Sequence, residues 1–271
     1  MSLQLSPSKI TQSPEAHGAG IDIPAFMQSD YIHCAAIFSD LDGCLISGET
    51  VLPGVKELAH LAGDRLWVVS NNSTDTASSL AEKLNRLGLP VQSARILLAG
   101  EATIRKVAED APQARIALFG SQQLTDLAIE LALKPCRGEQ EDLPQYAVLT
   151  RDPTFTMADL ERLMRLVDRG VPIILANPDP IHPAADGTPV PETGALFAAL
   201  QAGFPELDYE TCGKPSSYLI TEGLKRAAVK AEDAVFIGDT PATDGQAAFA
   251  AGVPFVLIRR PASALLSMVK R

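Results

Sequence analysis

From residue 30 onward the chain alternates short apolar or β-branched runs with longer amphipathic stretches, and this alternation leaves it few architectures. A short apolar run suits a parallel strand buried on both faces, and the amphipathic stretch between two such runs suits the helix that crosses over the sheet. Strands are expected at 35–39, 66–70, 96–99, 115–119, 146–149, 172–176, 234–237 and 255–258. Leu80, Leu84 and Leu87 recur at helical spacing ahead of Gly88, and Leu160, Leu163, Met164 and Val167 do so ahead of Gly170. In each case the glycine suits a helix C-terminus. The fold class expected is α/β, with a Rossmann-like parallel-sheet core.

Two interruptions in the periodicity, near 100–103 and 203–209, gather Gly, Pro and acidic residues. They bracket a middle segment with its own strand and helix alternation. Residues 30–101 and 206–271 are therefore expected to form one core from both chain ends, with 102–205 as an inserted α/β domain. A chain of 271 residues suffices for one large domain or two moderate ones. Residues 1–29 are polar and rich in Ser, Pro and Gly, and are expected to be a flexible extension. They lack the basic start and apolar run of a secretion signal. No apolar run reaches the ~20 residues needed to cross a bilayer, and no internal repeat is evident.

Hydrophobic residues at 46% and charged residues at 21% describe a globular protein. A formal net charge of -10 argues against a nucleic-acid partner, whose phosphates are gripped by clustered Lys and Arg. Cys34, Cys44, Cys136 and Cys212 show neither disulfide-framework nor zinc-knuckle spacing, so a reducing cytoplasm is the expected compartment.

Four strand ends carry the chemistry. Asp40-Leu41-Asp42-Gly43 follows an apolar run, at the sheet edge where open α/β folds bind ligands. Residues two apart in an extended chain share a side, so Asp40 and Asp42 can address one centre. Two such carboxylates imply a metal, a shuttled proton or both; the alternative is an ordinary acidic turn. Gly43 permits the sharp bend that a side chain would obstruct. Next, Ser70-Asn71-Asn72-Ser73 ends a strand with a hydroxyl and backbone N–H groups able to face an anion, or simply makes a turn and helix cap. In Gly213-Lys214-Pro215 a lysine is held between two stiffening neighbours; it either neutralises charge on a transferring phosphoryl group or is a surface lysine. Finally, Asp239 and Asp244 follow another apolar run and offer hard oxygens suited to Mg2+, with Asp244 as a helix cap the competing account.

In this order, and with the wording DLDGCL, VVSNNST, GKPS and GDTPATDG, the chain resembles the haloacid-dehalogenase superfamily. Within it the resemblance is to the class with the type IIA cap, the NagD-like and 4-nitrophenylphosphatase-like group. The stretch ANPDPIHPAADGTPVPETGALFAAL is similar to caps of that group, so 102–205 would be a cap of the C2 type. The resemblance implies a Mg2+-dependent phosphatase acting on a small phosphorylated metabolite. Asp40 would be the nucleophile and Asp42 the general acid and then base, with Ser70 and Asn71 on the phosphoryl oxygens and Lys214 balancing charge. Asp40, the backbone of Asp42 and Asp239 would hold the metal, and Asp244 a ligand water. Gly43, Asn72, Asp179 and His182 complete the expected substrate contacts, the last two on a proline-stiffened loop at 177–183. His17, His33 and His60 have no clustered partners. The resemblance also implies a possible homodimer through the cap.

Two positions depart from the family pattern. Cys44 stands where Thr or Val is usual, and Thr150-Arg151-Asp152 where caps often read Gly-Leu-Asp. Three other functions stay open on the sequence: a phosphotransferase using the same intermediate, a receiver-type domain, and a non-catalytic phosphometabolite-binding or regulatory protein.

Overall fold

The computed structural model describes residues 20–136, 143–183 and 188–259. The chain begins with α1 (Ile23–Met27), β1 (Ala36–Ser39), a small hairpin of β2 (Ile46–Ser47) and β3 (Thr50–Val51), α2 (Val55–Ala62), β4 (Leu66–Ser70), α3 (Ala77–Arg86) and β5 (Ile96–Leu98). The middle comprises α4 (Ala99–Asp110), β6 (Arg115–Phe119), α5 (Gln122–Glu130), β7 (Lys134–Pro135), β8 (Tyr146–Leu149), α6 (Met157–Asp168), β9 (Ile173–Leu175), a second hairpin of β10 (Ile181–Pro183) and β11 (Pro189–Pro191), α7 (Thr193–Gln201) and β12 (Glu210–Thr211). It closes with α8 (Tyr218–Ala227), β13 (Ala234–Gly238), α9 (Gln246–Ala250) and β14 (Phe255–Leu257).

Every strand expected from the sequence is present, with ends that differ by about a residue. The strands not expected, β2, β3, β7, β10, β11 and β12, are two or three residues long and too short to display a period. Gly88 ends α3 as expected: its φ is 81°, and Leu89 N donates back to Leu84 O.

Two parallel sheets form. The first has the order β14-β13-β1-β4-β5, taking strands from both ends of the chain; the second, β12-β9-β8-β6-β7, takes the middle. Alternation along each strand sends side chains to opposite faces. In the first sheet Ile37, Val68, Val235 and Ile237 pack toward α2 and α3, while Phe38, Trp67, Val69 and Phe236 pack toward α8 and α9. Both faces are covered, which is why these strands read as continuous apolar runs. The second sheet is likewise sandwiched, with Phe119, Leu149 and Leu175 toward α6 and α7, and Ile116 and Val148 toward α4 and α5.

Three expectations shift. Residues 20–29 are docked: Asp22 caps α1, Ile21 bridges to Ile258, and Ile23 and Phe26 are buried in the core. Two large apolar side chains outweigh the polar look of the surrounding segment; the rest of that extension lies outside the described residues. The passage at 101/102 is no loop, because α4 runs through it from one sheet to the other. Glu210 and Thr211 pair with Ile174 and Leu175, so the second sheet reaches past the seam expected at 205, through a strand too short to carry a periodic signal. No helix among the described residues is long and apolar enough to cross a membrane.

Candidate active site

The strand order of the first sheet reverses between β1 and β13, and a crevice opens at the carboxyl ends of strands that diverge in this way. Register delivers the acidic groups to it. Ser39 lies beside Ile237, and Asp40 N donates to Ile237 O at 2.9 Å, so Asp40 leaves β1 level with the end of β13, where Asp239 follows. Asp40 is 8% exposed and Asp239 half-buried. Gly43, at φ 94°, turns the chain sharply enough for its N–H to reach Ile46 O at 2.8 Å. Asp42 stands exposed on that turn.

Lys214 crosses from the far side of the crevice. Its Nζ donates to Asp40 Oδ1 at 2.5 Å, Asp244 Oδ1 at 2.7 Å and Val69 O at 3.3 Å. An ammonium has three protons, and all three are directed. Burial by itself would lower the Lys214 pKa, but the Asp244 and Asp40 carboxylates outweigh it and hold the group above its ordinary value. Burial pushes Asp40 well above the usual carboxylate range; Lys214 opposes this, while Asp244 and Asp239 add to it. Asp40 thus has two further carboxylates and one ammonium around it, an excess of negative charge that a bound cation would relieve.

One ligand atom each from Asp40, Cys44 and Asp239 lies within 4.8 Å of the others. Asp40 and Asp239 supply the hard oxygens Mg2+ takes. Cys44 is fully buried, and burial, then Asp40, Asp239 and Asp244, push its thiol up, against the weaker pull of Lys214. Asp244, expected to hold a ligand water of the metal, is 1% exposed beside Asp40: its Oδ1 accepts from the Lys214 that also reaches Asp40, and its Oδ2 from Thr240 N at 3.1 Å, within the π-helical turn Pro241–Gly245.

The loop after β4 binds the two sheets together. Ser70 Oγ accepts from Asn72 N at 3.1 Å. Asn71, expected on phosphoryl oxygens, commits its side chain otherwise. Its Oδ1 accepts from Lys214 N at 2.7 Å, and its Nδ2 donates to Lys214 O at 2.9 Å and Asp179 Oδ2 at 2.8 Å. It braces the lysine's backbone and ties it to the second unit. Asn72 shapes its own loop, with Oδ1 accepting from Thr74 N and Asp75 N, each at 2.9 Å. Asp179 is therefore brought to the crevice, and burial raises its pKa while Asn71 opposes the rise.

His182 is not. Its Nδ1 lies 2.7 Å from Glu192 Oε1, outside hydrogen-bond alignment, and Arg151 Nε lies 3.6 Å from that same oxygen. Asn177, which opens the 177–183 loop but had no role assigned from the sequence, donates to Asn71 O at 2.8 Å and Ser73 Oγ at 3.2 Å. Arg151 was visible only as a departure from pattern. Its backbone N donates to Ser73 O, and its guanidinium reaches Pro191 O at 3.3 Å.

An α/β core with an inserted second sheet unit, and a lysine-bridged carboxylate cluster at the carboxyl edge of its central strands, is the class that fold and site define. Residues 37–134 match the family model described as haloacid dehalogenase-like hydrolase, and 211–264 a second described as HAD-hydrolase-like. Chronophin of Homo sapiens is 30% identical over 223 residues, 77% of this chain and 75% of that protein. The D-glycerol 3-phosphate phosphatase of Mycobacterium tuberculosis is 29% identical over 220 residues, 81% of this chain but 61% of that protein, so the chain spans less than two thirds of that relative's length. A crystal structure of glycerol phosphate phosphatase from Mycobacterium tuberculosis in complex with magnesium superposes with a TM-score of 0.76 at 28% identity, covering 83% of this chain and 67% of that one. The chain belongs to the haloacid dehalogenase-like hydrolases, in the subclass with the type IIA cap.

Proposed function

We propose that the chain is a Mg2+-dependent phosphatase that hydrolyses a small phosphate monoester through a phosphoaspartate on Asp40. The observation that carries this reading is the placement of Asp40, which is bridged by Lys214 to Asp244 while a ligand atom of Asp239 lies within 4.8 Å of its own. Asp40 and Asp239, with the backbone carbonyl of Asp42, are the groups that would hold Mg2+. When bound, the cation offsets the charge of the phosphoryl oxygens.

The chain's own groups supply the rest. Asp40 attacks phosphorus, forming the acyl phosphate as the bond to the ester oxygen breaks, and Asp42 protonates that oxygen as it leaves. Asp42 then takes a proton from the water that cleaves the acyl phosphate. Lys214 holds Asp40 in line and balances charge, Ser70 donates its hydroxyl to a phosphoryl oxygen, and the bend at Gly43 keeps the approach open. Asn71 acts by bracing Lys214, Asn72 by shaping the loop, and Asp244 by anchoring the ammonium. Asp179, tied to the crevice by Asn71, and His182 close to that carboxylate are polar groups of the cap, and their polarity, with the activity named for the mycobacterial relative, supports a short polyol phosphate as substrate.

The free cysteines support a cytoplasmic setting, and exposed Met157 and Ile181 on the cap support a homodimer through it. The test is Mg2+-dependent release of phosphate from 4-nitrophenyl phosphate and a panel of polyol phosphates. Asp40→Asn is expected to fall to background; undiminished turnover would remove Asp40 as the nucleophile.

A further inference from the structure

A thiol sits inside the carboxylate cluster, where the phosphatase reading gives it no task. Cys44 is fully buried, its Sγ lies within 4.8 Å of carboxylate oxygens of both Asp40 and Asp239, and no hydrogen bond to it is found among the described residues. The bend at Gly43 fixes this placement, because the chain turns back on itself between Asp40 and Ile46 and leaves Cys44 beneath the crevice rather than on the surface. A buried sulfur within 4.8 Å of two acidic oxygens is a donor set of mixed hardness. Mg2+ uses only the oxygens, whereas Zn2+ and Cd2+ take thiolate and carboxylate together.

We propose that Asp40, Cys44 and Asp239 form a binding site for a thiophilic divalent cation, Zn2+ or Cd2+, which excludes Mg2+ and shuts the enzyme down. The inference rests on the reading of this crevice as the Mg2+ site. Binding replaces the S–H bond by a metal–sulfur bond, and the proton passes to solvent; no electron is transferred. The same carboxylate of Asp40 would then be engaged by two-point capture with Cys44, so the nucleophile would be withdrawn from phosphorus. Each chain would thus carry a built-in sensitivity to thiophilic metals that a Thr or Val at position 44 would lack. Cys34, Cys136 and Cys212 have no such partners, since among the described residues only this cluster gathers three metal-ligating side chains.

The experiment is a titration of the metal-free full chain with Cd2+, following the ultraviolet cadmium–thiolate charge-transfer band and the protons released. Wild type is expected to show one tight equivalent that develops the band and releases a proton, and added Mg2+ should compete with it. Cys44→Thr and Cys44→Val, two replacements of similar size chosen so that one folded variant suffices, are expected to lose that band and bind Cd2+ at least about tenfold more weakly. Asp239→Asn should weaken the same equivalent. Retention of the tight equivalent and its band in a folded Cys44 variant overturns the proposal, as does a band in wild type that Mg2+ does not displace. Phosphate release with Mg2+ is measured separately. Its absence in wild type alongside an intact cadmium band would sink the phosphatase reading and leave the metal site standing.

Discussion

Lys214 has no freedom to act as an ordinary surface lysine: it is 2% exposed, all three protons are engaged, and Asn71 clasps its backbone from both sides. Lys214→Met is expected to lower kcat about 10²- to 10³-fold, the range for losing one preorganised donor to developing negative charge. Without Mg2+ it should also lower stability by about 3–5 kcal/mol, because Asp40 and Asp244 lose their shared cation while buried. Steady-state kinetics and urea unfolding of the same variant check both halves, and an unchanged unfolding midpoint would show that the bridge is not structural. At this scale the sequence disclosed identities better than partners. Asp40, Ser70 and Asp239 were legible because each ends or directly follows an apolar run, and Lys214 because Gly213 and Pro215 flank it. The turning of Asp244 toward Lys214, of Asn71 toward Lys214 and Asp179, and of His182 toward Glu192 was not, because each depends on residues more than a few positions away.

Helix α8 lies across the first sheet with Gly223 against Phe38. A methyl added at Gly223 would come within 2.6 Å of Phe38 Cε1, and Phe38 is fully buried with no room to yield. In an exposed helix Gly→Ala gains about 1 kcal/mol. Here Gly223→Ala is expected to cost about 1–3 kcal/mol through overpacking, and a urea series that showed stabilisation would contradict this close approach. Helix α1 gives the complementary case. If residues 20–29 were a loose tether, Phe26→Ala would be silent; with Phe26 fully buried, about 3–5 kcal/mol should be lost. Differential scanning calorimetry separates the two outcomes. The long helices and the eight main strands were legible because period survives over several turns or over a run buried on both faces. Helix α1 has five residues, and its two buried side chains leave no period to detect.

The molecule as a whole brings Asp40 and Asp239, the carboxylates proposed to hold a divalent cation, together where strands from the two ends of the chain meet. Mg2+ at ~100 times its dissociation constant should therefore raise stability by about 2.7 kcal/mol, and chelation should reverse the gain. Asp239→Asn should abolish the shift in melting temperature; a shift that survives in that variant would put the cation elsewhere. A parallel, doubly covered sheet followed from the alternation of apolar and amphipathic runs, and acidic strand ends followed from residue order, because both are properties of neighbouring residues. Only the tertiary structure could decide that β13 lies beside β1, that β12 joins the second sheet, and that Cys44 faces the same gap as Asp40 and Asp239. Those facts depend on register and strand order between segments up to about two hundred residues apart, where no local period carries information.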